Sequence, residues 1–332
     1  MKCPICESKK TRLIYSNYPG YVDGTDFDIF ECIRCNTQFV SVETVDPEIY
    51  NIAYSNISTP GYYRYLTYAK EIKNKDNPLK FLSEAESVYY PIYIYLKDKT
   101  HLDILEIGCG YGYLTYSLNS LGHNAEGIDI SSRAIHYASS HYGDYYQVAK
   151  LEDYHTHKKY DLIIATELIE HLINPVEFIS LCADLLNANG AIILTTRNKD
   201  YYSKKSVWGT DLPPVHTTWL SKTSFKYIAE KEHMDCMFVD YTNYVGRNEN
   251  KLMSYLYMKW TSNRMPQSIL SHKGDTNRKN IEMYIRIILK YIVFFAPVRY
   301  TCSYINRLFT EEHDTLGVIM KKKNLKPIFP II

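Results

Sequence analysis

Residues 104–113 read ILEIGCGYGY, an apolar run holding one acidic residue, followed by three glycines separated by single residues. The run predicts a buried strand. The glycines predict a tight turn into a helix, where the backbone can approach a ligand closely. The spacing excludes two common phosphate binders. A dinucleotide fingerprint has glycines at its first, third and sixth positions. Here Gly108, Gly110 and Gly112 stand first, third and fifth, and Tyr113 stands sixth. No G-x-x-x-x-G-K-[ST] is present, which removes a P-loop. Glu106, two residues ahead of the loop, would attract a cationic ligand and sit badly beside a pyrophosphate.

Around this stretch the pattern alternates between strand and helix. HLDILEIG predicts a strand, YLTYSLNSLG a helix closed by Gly122, and NAEGIDI a second strand. SSRAIHYASSHYG predicts a Ser-capped helix ending at Gly143, and YYQVA a short strand. KYDLIIAT reads as a buried strand, PVEFISLCADLLNANG as a helix from Pro175 to Gly190, and AIILTTR as another strand. A helix TWLSKTSFKYIAEKEH and strands CMFVDYTNYV and LGVIMKKK follow. Repeated βα units imply a doubly wound, mostly parallel sheet.

E-x-G-x-G-x-G after a first strand resembles motif I of class I S-adenosylmethionine-dependent methyltransferases. The resemblance covers roughly residues 101–243, with 316–323 as a final antiparallel strand. It implies a Rossmann-like, seven-stranded α/β sheet. The loop Gly108, Gly110 and Gly112 would pass along the adenosyl–methionine portion of the cofactor. Glu106 would orient its amino group, Asp129 would take the ribose hydroxyls, Ile130 would flank the adenine, and Thr166 would line the pocket. LEDY at 151–154 matches the adenine-holding segment. Many relatives carry Asp where this chain has Lys150, which leaves backbone near Leu151 or the Glu152 carboxylate to read the base.

ATELIEHLINP, after the fourth strand, resembles the subgroup that includes ubiquinone-biosynthesis O-methyltransferases and many small-molecule and sugar methyltransferases. Glu167, Glu170 and His171 fall on one face of a helical turn. Three roles are open: His171 as general base with Glu170 beside it, a divalent cation such as Mg²⁺ at Glu167, Glu170 and His171, or a structural helix start. DLPPVHTTWLSKTSF at 211–225 resembles a bacterial loop over the active-site mouth, which makes His216 a second acceptor contact. PGYYRYL at 60–66 would supply a lid, with Tyr62, Tyr63 and Arg64 read as packing residues.

Near the amino end stand two pairs, Cys3-x-x-Cys6 and Cys32-x-x-Cys35. Two such knuckles predict one tetrahedral thiolate site, for which zinc is the fitting ion, in a structural role. A unit of this size has too little core to fold unaided. The remaining cysteines are scattered, which fits a reducing compartment.

The bulk properties fit this reading. The 332 residues carry a net charge of +1, so no global signal points to nucleic acid. The start MKCPICESKK has no apolar core of a secretory signal, which leads us to expect a cytoplasmic protein. Tyrosine is abundant, with 33 residues, which we read as nucleotide-composition bias.

The expected organisation is a zinc head at 1–40, a helical linker or lid at 41–99, and a methyltransferase core at 100–245. A basic helical insertion at 246–312 and a final strand and tail at 313–332 complete it. Within the insertion, 281–300 would contact a membrane surface, pack over the sheet edge or lie at a dimer contact. LKFLSEAESVYYPIYIYLKDK in the linker has helical spacing that Pro91 should kink or end. The expected function is methyl transfer to a small molecule or glycan precursor, on oxygen. An RNA methyltransferase is the competing enzyme. Against it stands the lack of a [DN]-P-P-[YF] motif after the fourth strand. A non-catalytic scaffold is the third reading, opposed by the intact Glu106, Gly108, Gly110 and Asp129. The sequence leaves the oligomeric state open.

Overall fold

A computed structural model describes residues 1–46, 48–49, 62–201, 211–244, 246, 265–271 and 313–323. The 281–300 stretch and nearly all of the expected insertion lie outside them. No helix among the described residues is long and apolar enough to cross a membrane.

The amino-terminal strands are β1 (Thr11–Pro19), β2 (Asp26–Cys32) and β3 (Gln38–Val40). Helices α1 (Tyr62–Glu71), α2 (Pro78–Ala85) and α3 (Tyr90–Leu96) follow. The core then alternates as β4 (Asp103–Ile107), α4 (Tyr113–Ser120), β5 (Asn124–Asp129), α5 (Ser132–Tyr142), β6 (Tyr146–Val148), β7 (Tyr160–Thr166), α6 (Pro175–Leu185) and β8 (Leu186–Arg197). It ends with β9 (Thr218–Trp219), α7 (Lys222–Lys231), β10 (Met234–Phe238) and β11 (Thr315–Lys322).

Seven strands form one sheet in the order β10-β11-β8-β7-β4-β5-β6. β4 pairs in parallel with β5 on one side and β7 on the other. The chain therefore reverses its winding at β4, where open α/β sheets bind ligands at the strands' carboxyl ends. β11 alone runs antiparallel, between β8 and β10. The doubly wound, mostly parallel fold with an antiparallel last strand is as the sequence implies.

The sheet is covered on both faces, and its apolar residues divide by parity. Ile104, Leu162, Ile164, Ala191 and Ile193 pack with helices α1 to α5. Leu105, Ile107, Ile163, Ala165, Ile192 and Leu194 pack with α6, α7 and the cysteine-bearing segment. Ser131 caps α5 by accepting from the Ala134 amide, and Gly143 (φ 103°) ends it, as expected.

Four local expectations change. Pro91 starts a helix rather than ending one: it occupies the first turn of α3, where its missing N–H costs nothing. The helix expected to close on Gly190 stops at Leu185, and Gly190 lies within β8. A Cβ at Gly190 would stand 2.8 Å from the Tyr160 carbonyl oxygen, so the glycine serves close strand contact. The helix expected from Thr218 begins at Lys222, behind a capping box of Ser221 and Ser224. Thr218 and Trp219 instead form β9, which pairs with Phe39 and Gln38 of β3 and completes a four-stranded sheet β1-β2-β3-β9. The strand expected over 236–245 spans Met234–Phe238.

The amino-terminal segment therefore does not close on itself. Its apolar cluster of Tyr18, Tyr21, Ile29 and Val40 is completed by Leu212, Val215, Trp219, Ile269 and Leu270. Gly190→Ala should lower stability by about 1–3 kcal/mol, because the new methyl group meets backbone that cannot yield. An unchanged urea midpoint would show that the strand has room there.

Candidate functional site

The glycine loop leaves β4 and enters α4. Gly108, Gly110 and Gly112 have φ of 77°, 50° and 76°, all in the left-handed region. Side chains rarely adopt that conformation, which is the physical reason for the spacing. The amides of Gly108 and Cys109 both donate to the Ile128 carbonyl, at 2.8 and 3.1 Å. A Cβ on Gly112 would lie 2.5 Å from the Tyr146 ring and 2.7 Å from Ala138 Cβ. Space as well as backbone angle thus requires a glycine there.

Two carboxylates flank this loop. Glu106 is 3% exposed and accepts from the Thr115 hydroxyl at 2.5 Å. Burial pushes its carboxyl up to about 8, opposed by the Thr115 hydrogen bonds. Asp129, 6% exposed, ends β5. Its two oxygens accept from the Gly110 and Ser131 amides, each at 2.8 Å. Burial raises this carboxyl as well. Ile130 beside it is 50% exposed, an apolar surface next to a buried acid. Glu152 lies exposed on the 3₁₀ turn Leu151–Asp153, while Leu151 is buried. Thr166 ends β7, half-buried.

Beyond β7 the chain turns sharply. Glu167 has φ 49°, a left-handed conformation on a side chain that disfavours it. Its carboxylate accepts from Arg64 at 2.9 Å and from the Tyr65 hydroxyl at 2.8 Å. Burial opposes its ionisation, but Arg64 and Arg197 more than offset this and hold it below the usual range. Arg64 also pairs with Glu86 at 3.0 Å. Arg64, read from sequence as packing, is thus the cation between two carboxylates. Arg197, at the end of β8, faces Asp211 and Asp314, both at 3.4 Å.

Glu170, His171 and His216 come together, but not as a cation site. Among the described residues, the one group of three or more His, Cys, Asp or Glu placed to share an ion is the cysteine quartet. Glu167 is engaged by Arg64, which removes the first ligand of the expected Mg²⁺ set. The His171 Nδ1 lies 2.7 Å from the Val215 carbonyl. A carbonyl only accepts, so Nδ1 carries the proton of that bond. Burial lowers the His171 pKa, which keeps the ring neutral. The His216 ring packs edge-on against it, with centroids 4.5 Å apart. Burial, aided by His171, lowers His216 too. Glu170 is 2% exposed, and burial pushes its carboxyl up to about 8. Glu170 Oε2 and His216 Nδ1 are buried without a hydrogen-bond partner.

The cysteines assemble as their spacing predicts. Cys3 and Cys35 Sγ are 3.5 Å apart, and Cys6 and Cys32 Sγ are 3.4 Å apart. All four lie within 4.8 Å of one another. A disulfide needs about 2.05 Å. A zinc–sulfur tetrahedron has edges of roughly 3.8 Å, given a 2.3 Å bond. The two knuckles share one geometry: Glu7 N donates to Cys3 O and Asn36 N to Cys32 O, with both donors at φ 58°. Burial pushes the Cys6 thiol up to about 11, with the neighbouring sulfurs adding to it. Four sulfurs at these separations fit a divalent ion, which would replace their protons.

A family model described as a methyltransferase domain matches residues 81–234. A ubiquinone biosynthesis O-methyltransferase of Bradyrhizobium diazoefficiens is 31% identical over 107 residues, covering 31% of this chain and 42% of that protein. One from Glaesserella parasuis is 29% identical over 152 residues, covering 39% of this chain and 64% of that protein. The chain thus spans less than two thirds of the length of these relatives. Among solved structures, a SAM-dependent methyltransferase from Archaeoglobus fulgidus is 17% identical, with 78% of this chain and 99% of that one covered at a TM-score of 0.45. Residues 81–234 thus match a methyltransferase domain, and the relatives that share this stretch are O-methyltransferases.

Proposed function

We propose that this chain transfers the methyl group of S-adenosylmethionine to a hydroxyl of a small, polar, hydroxyl-rich acceptor such as the sugar of a glycan precursor. The carrying observation is Asp129, whose oxygens are fixed by the Gly110 and Ser131 amides beside the left-handed glycine loop. A carboxylate so held keeps lone pairs for two adjacent hydroxyls, as a ribose presents. Glu106 faces the same loop and suits the amino group of the cofactor. Ile130 offers an apolar surface to the adenine, and Thr166 lines the pocket. Leu151 backbone, more than exposed Glu152, is placed to meet the base.

The bound cofactor supplies a methyl group on a sulfonium. That methyl would pass to the acceptor oxygen and leave a thioether behind, and the His171 ring takes the acceptor's proton. Much of the rate comes from alignment of the two reactants in a closed site. Glu170, protonated near neutral pH, donates to an acceptor oxygen, and His216 contacts the acceptor beside it. Arg64, Glu167, Arg197 and Asp211 make the mouth polar, which favours a hydroxylated acceptor over a long apolar one. The four cysteines hold structural zinc.

Three outcomes test this reading. Isotope-labelled S-adenosylmethionine should label nucleotide-activated sugars in preference to catechols and quinols; label on quinols alone would reverse the acceptor assignment. His171→Ala should lower kcat by about 10²–10⁴ with cofactor affinity unchanged, and full turnover would remove the base role. The pH dependence has a fixed sign. Glu106 in the folded chain titrates at about 8, and a bound cation lowers that value, so binding releases a proton. Affinity should therefore rise with pH by up to about tenfold per unit below pH 8 and level off above it. Raised Asp129 acts in the same direction. Calorimetry in buffers of different ionisation enthalpy reads the released proton; a flat profile would contradict a protonated Glu106.

A further inference from the structure

Residues 213–219 run between the cysteine-bearing segment and the main sheet and bond to both. Toward the cysteines, Tyr21 N donates to the Pro213 carbonyl at 2.6 Å and Val40 N to the Thr217 carbonyl at 3.0 Å. Thr218 and Trp219 pair with Phe39 and Gln38. Toward the sheet, the Val215 carbonyl holds His171 Nδ1 at 2.7 Å. Thr217 N donates to the Glu170 carbonyl at 2.9 Å, and Thr217 Oγ1 donates to the Leu172 carbonyl at 2.7 Å. Cys35 joins in directly, since its carbonyl accepts from the Ser221 and Ser224 hydroxyls, each at 3.2 Å. This strap carries His216 and orients His171, yet it is also bonded to Tyr21, Val40 and β3 of the amino-terminal segment.

We propose that the four-cysteine unit sets the geometry of the acceptor side of the site through this strap, with Thr217 as the positioning residue at its centre. Metal held by the quartet fixes β2 and β3, β3 fixes β9, and the strap fixes His171 and His216. No residue of the amino-terminal sheet needs to touch the acceptor. The assignment of those histidines to the acceptor rests on the methyltransferase reading; the mechanical coupling does not.

The test uses the full chain, compared with its metal and after chelation under reducing conditions. Hydrogen exchange should accelerate by about tenfold or more in 211–220 and in 168–172 together. Exchange in the glycine loop, and binding of S-adenosylhomocysteine, should stay within about twofold of the metal-loaded protein. Deprotection of residues 3–40 with 168–172 unchanged would overturn the proposal. If chelation unfolds the whole chain, metal-loaded Thr217→Val decides. It should retain its metal, shift the His171 ring-nitrogen resonances and lower kcat with acceptor KM unchanged, and Thr217→Ser should restore both. Unshifted resonances in Thr217→Val would overturn the proposal equally. Absence of S-adenosylhomocysteine binding in the metal-loaded protein would instead refute the methyltransferase reading and leave the exchange result standing.

Discussion

The Ile128 carbonyl takes two amides, from Gly108 and Cys109, and this shared acceptor anchors the glycine loop to the neighbouring strand. The rest of the cofactor side follows from that anchor. It forces the chain into left-handed turns, which only glycine makes at low cost. It also brings the loop over Gly127, where a Cβ would meet Cys109 Cβ and Thr115 Oγ1, each at 2.8 Å. A bare strand position thus lets Thr115 stand close enough to bond Glu106, and lets Gly110 reach Asp129. Gly112 of the loop and Gly127, which has no motif role in the sequence, prove to be steric requirements of one interlock.

The buried carboxylates stand where packing alone would favour apolar side chains. Glu106 occupies a strand whose other residues are mostly apolar, and Glu170 lies in a turn that is also closed to water. Each has its carboxyl raised by burial, and neither has a cation at hand as Glu167 does. A protein stabilised by its core alone would gain by replacing such groups with apolar ones. Arg64 shows the contrasting solution. One guanidinium between Glu86 and Glu167 holds α1 against the turn after β7 and leaves both carboxylates paired.

What the sequence revealed is what local rules govern. The strand–helix alternation, the Ser131 cap, the Gly143 stop and the three-glycine turn each depend on a few neighbouring residues, and each stands in the structure. What it hid depends on contacts far apart along the chain. Thr218 and Trp219 have a helical context, yet β3 claims them as a strand. Gly190 resembles a helix stop until Tyr160 is placed against it. Arg64 lacks any local signal for Glu167, which lies 103 residues away. The cysteine quartet is the instructive exception: its contacts are long-range, but thiolate–metal spacing is so restrictive that the pattern alone indicates the cluster.

The borrowed strand gives the cysteine unit its meaning. A segment of this size cannot close a core alone, and this one uses Leu212, Val215 and Trp219, about 170 or more residues further along the chain, to do so. Had β9 come from within the first 46 residues, a metal there would stabilise only its own surroundings. Because β9 is continuous with the residues that hold His171 and carry His216, order in the cysteine unit becomes order in the site. The same hydrogen bonds that make the amino-terminal sheet dependent on the core make the His171 turn dependent on the amino-terminal sheet, since a shared bond restrains both partners equally.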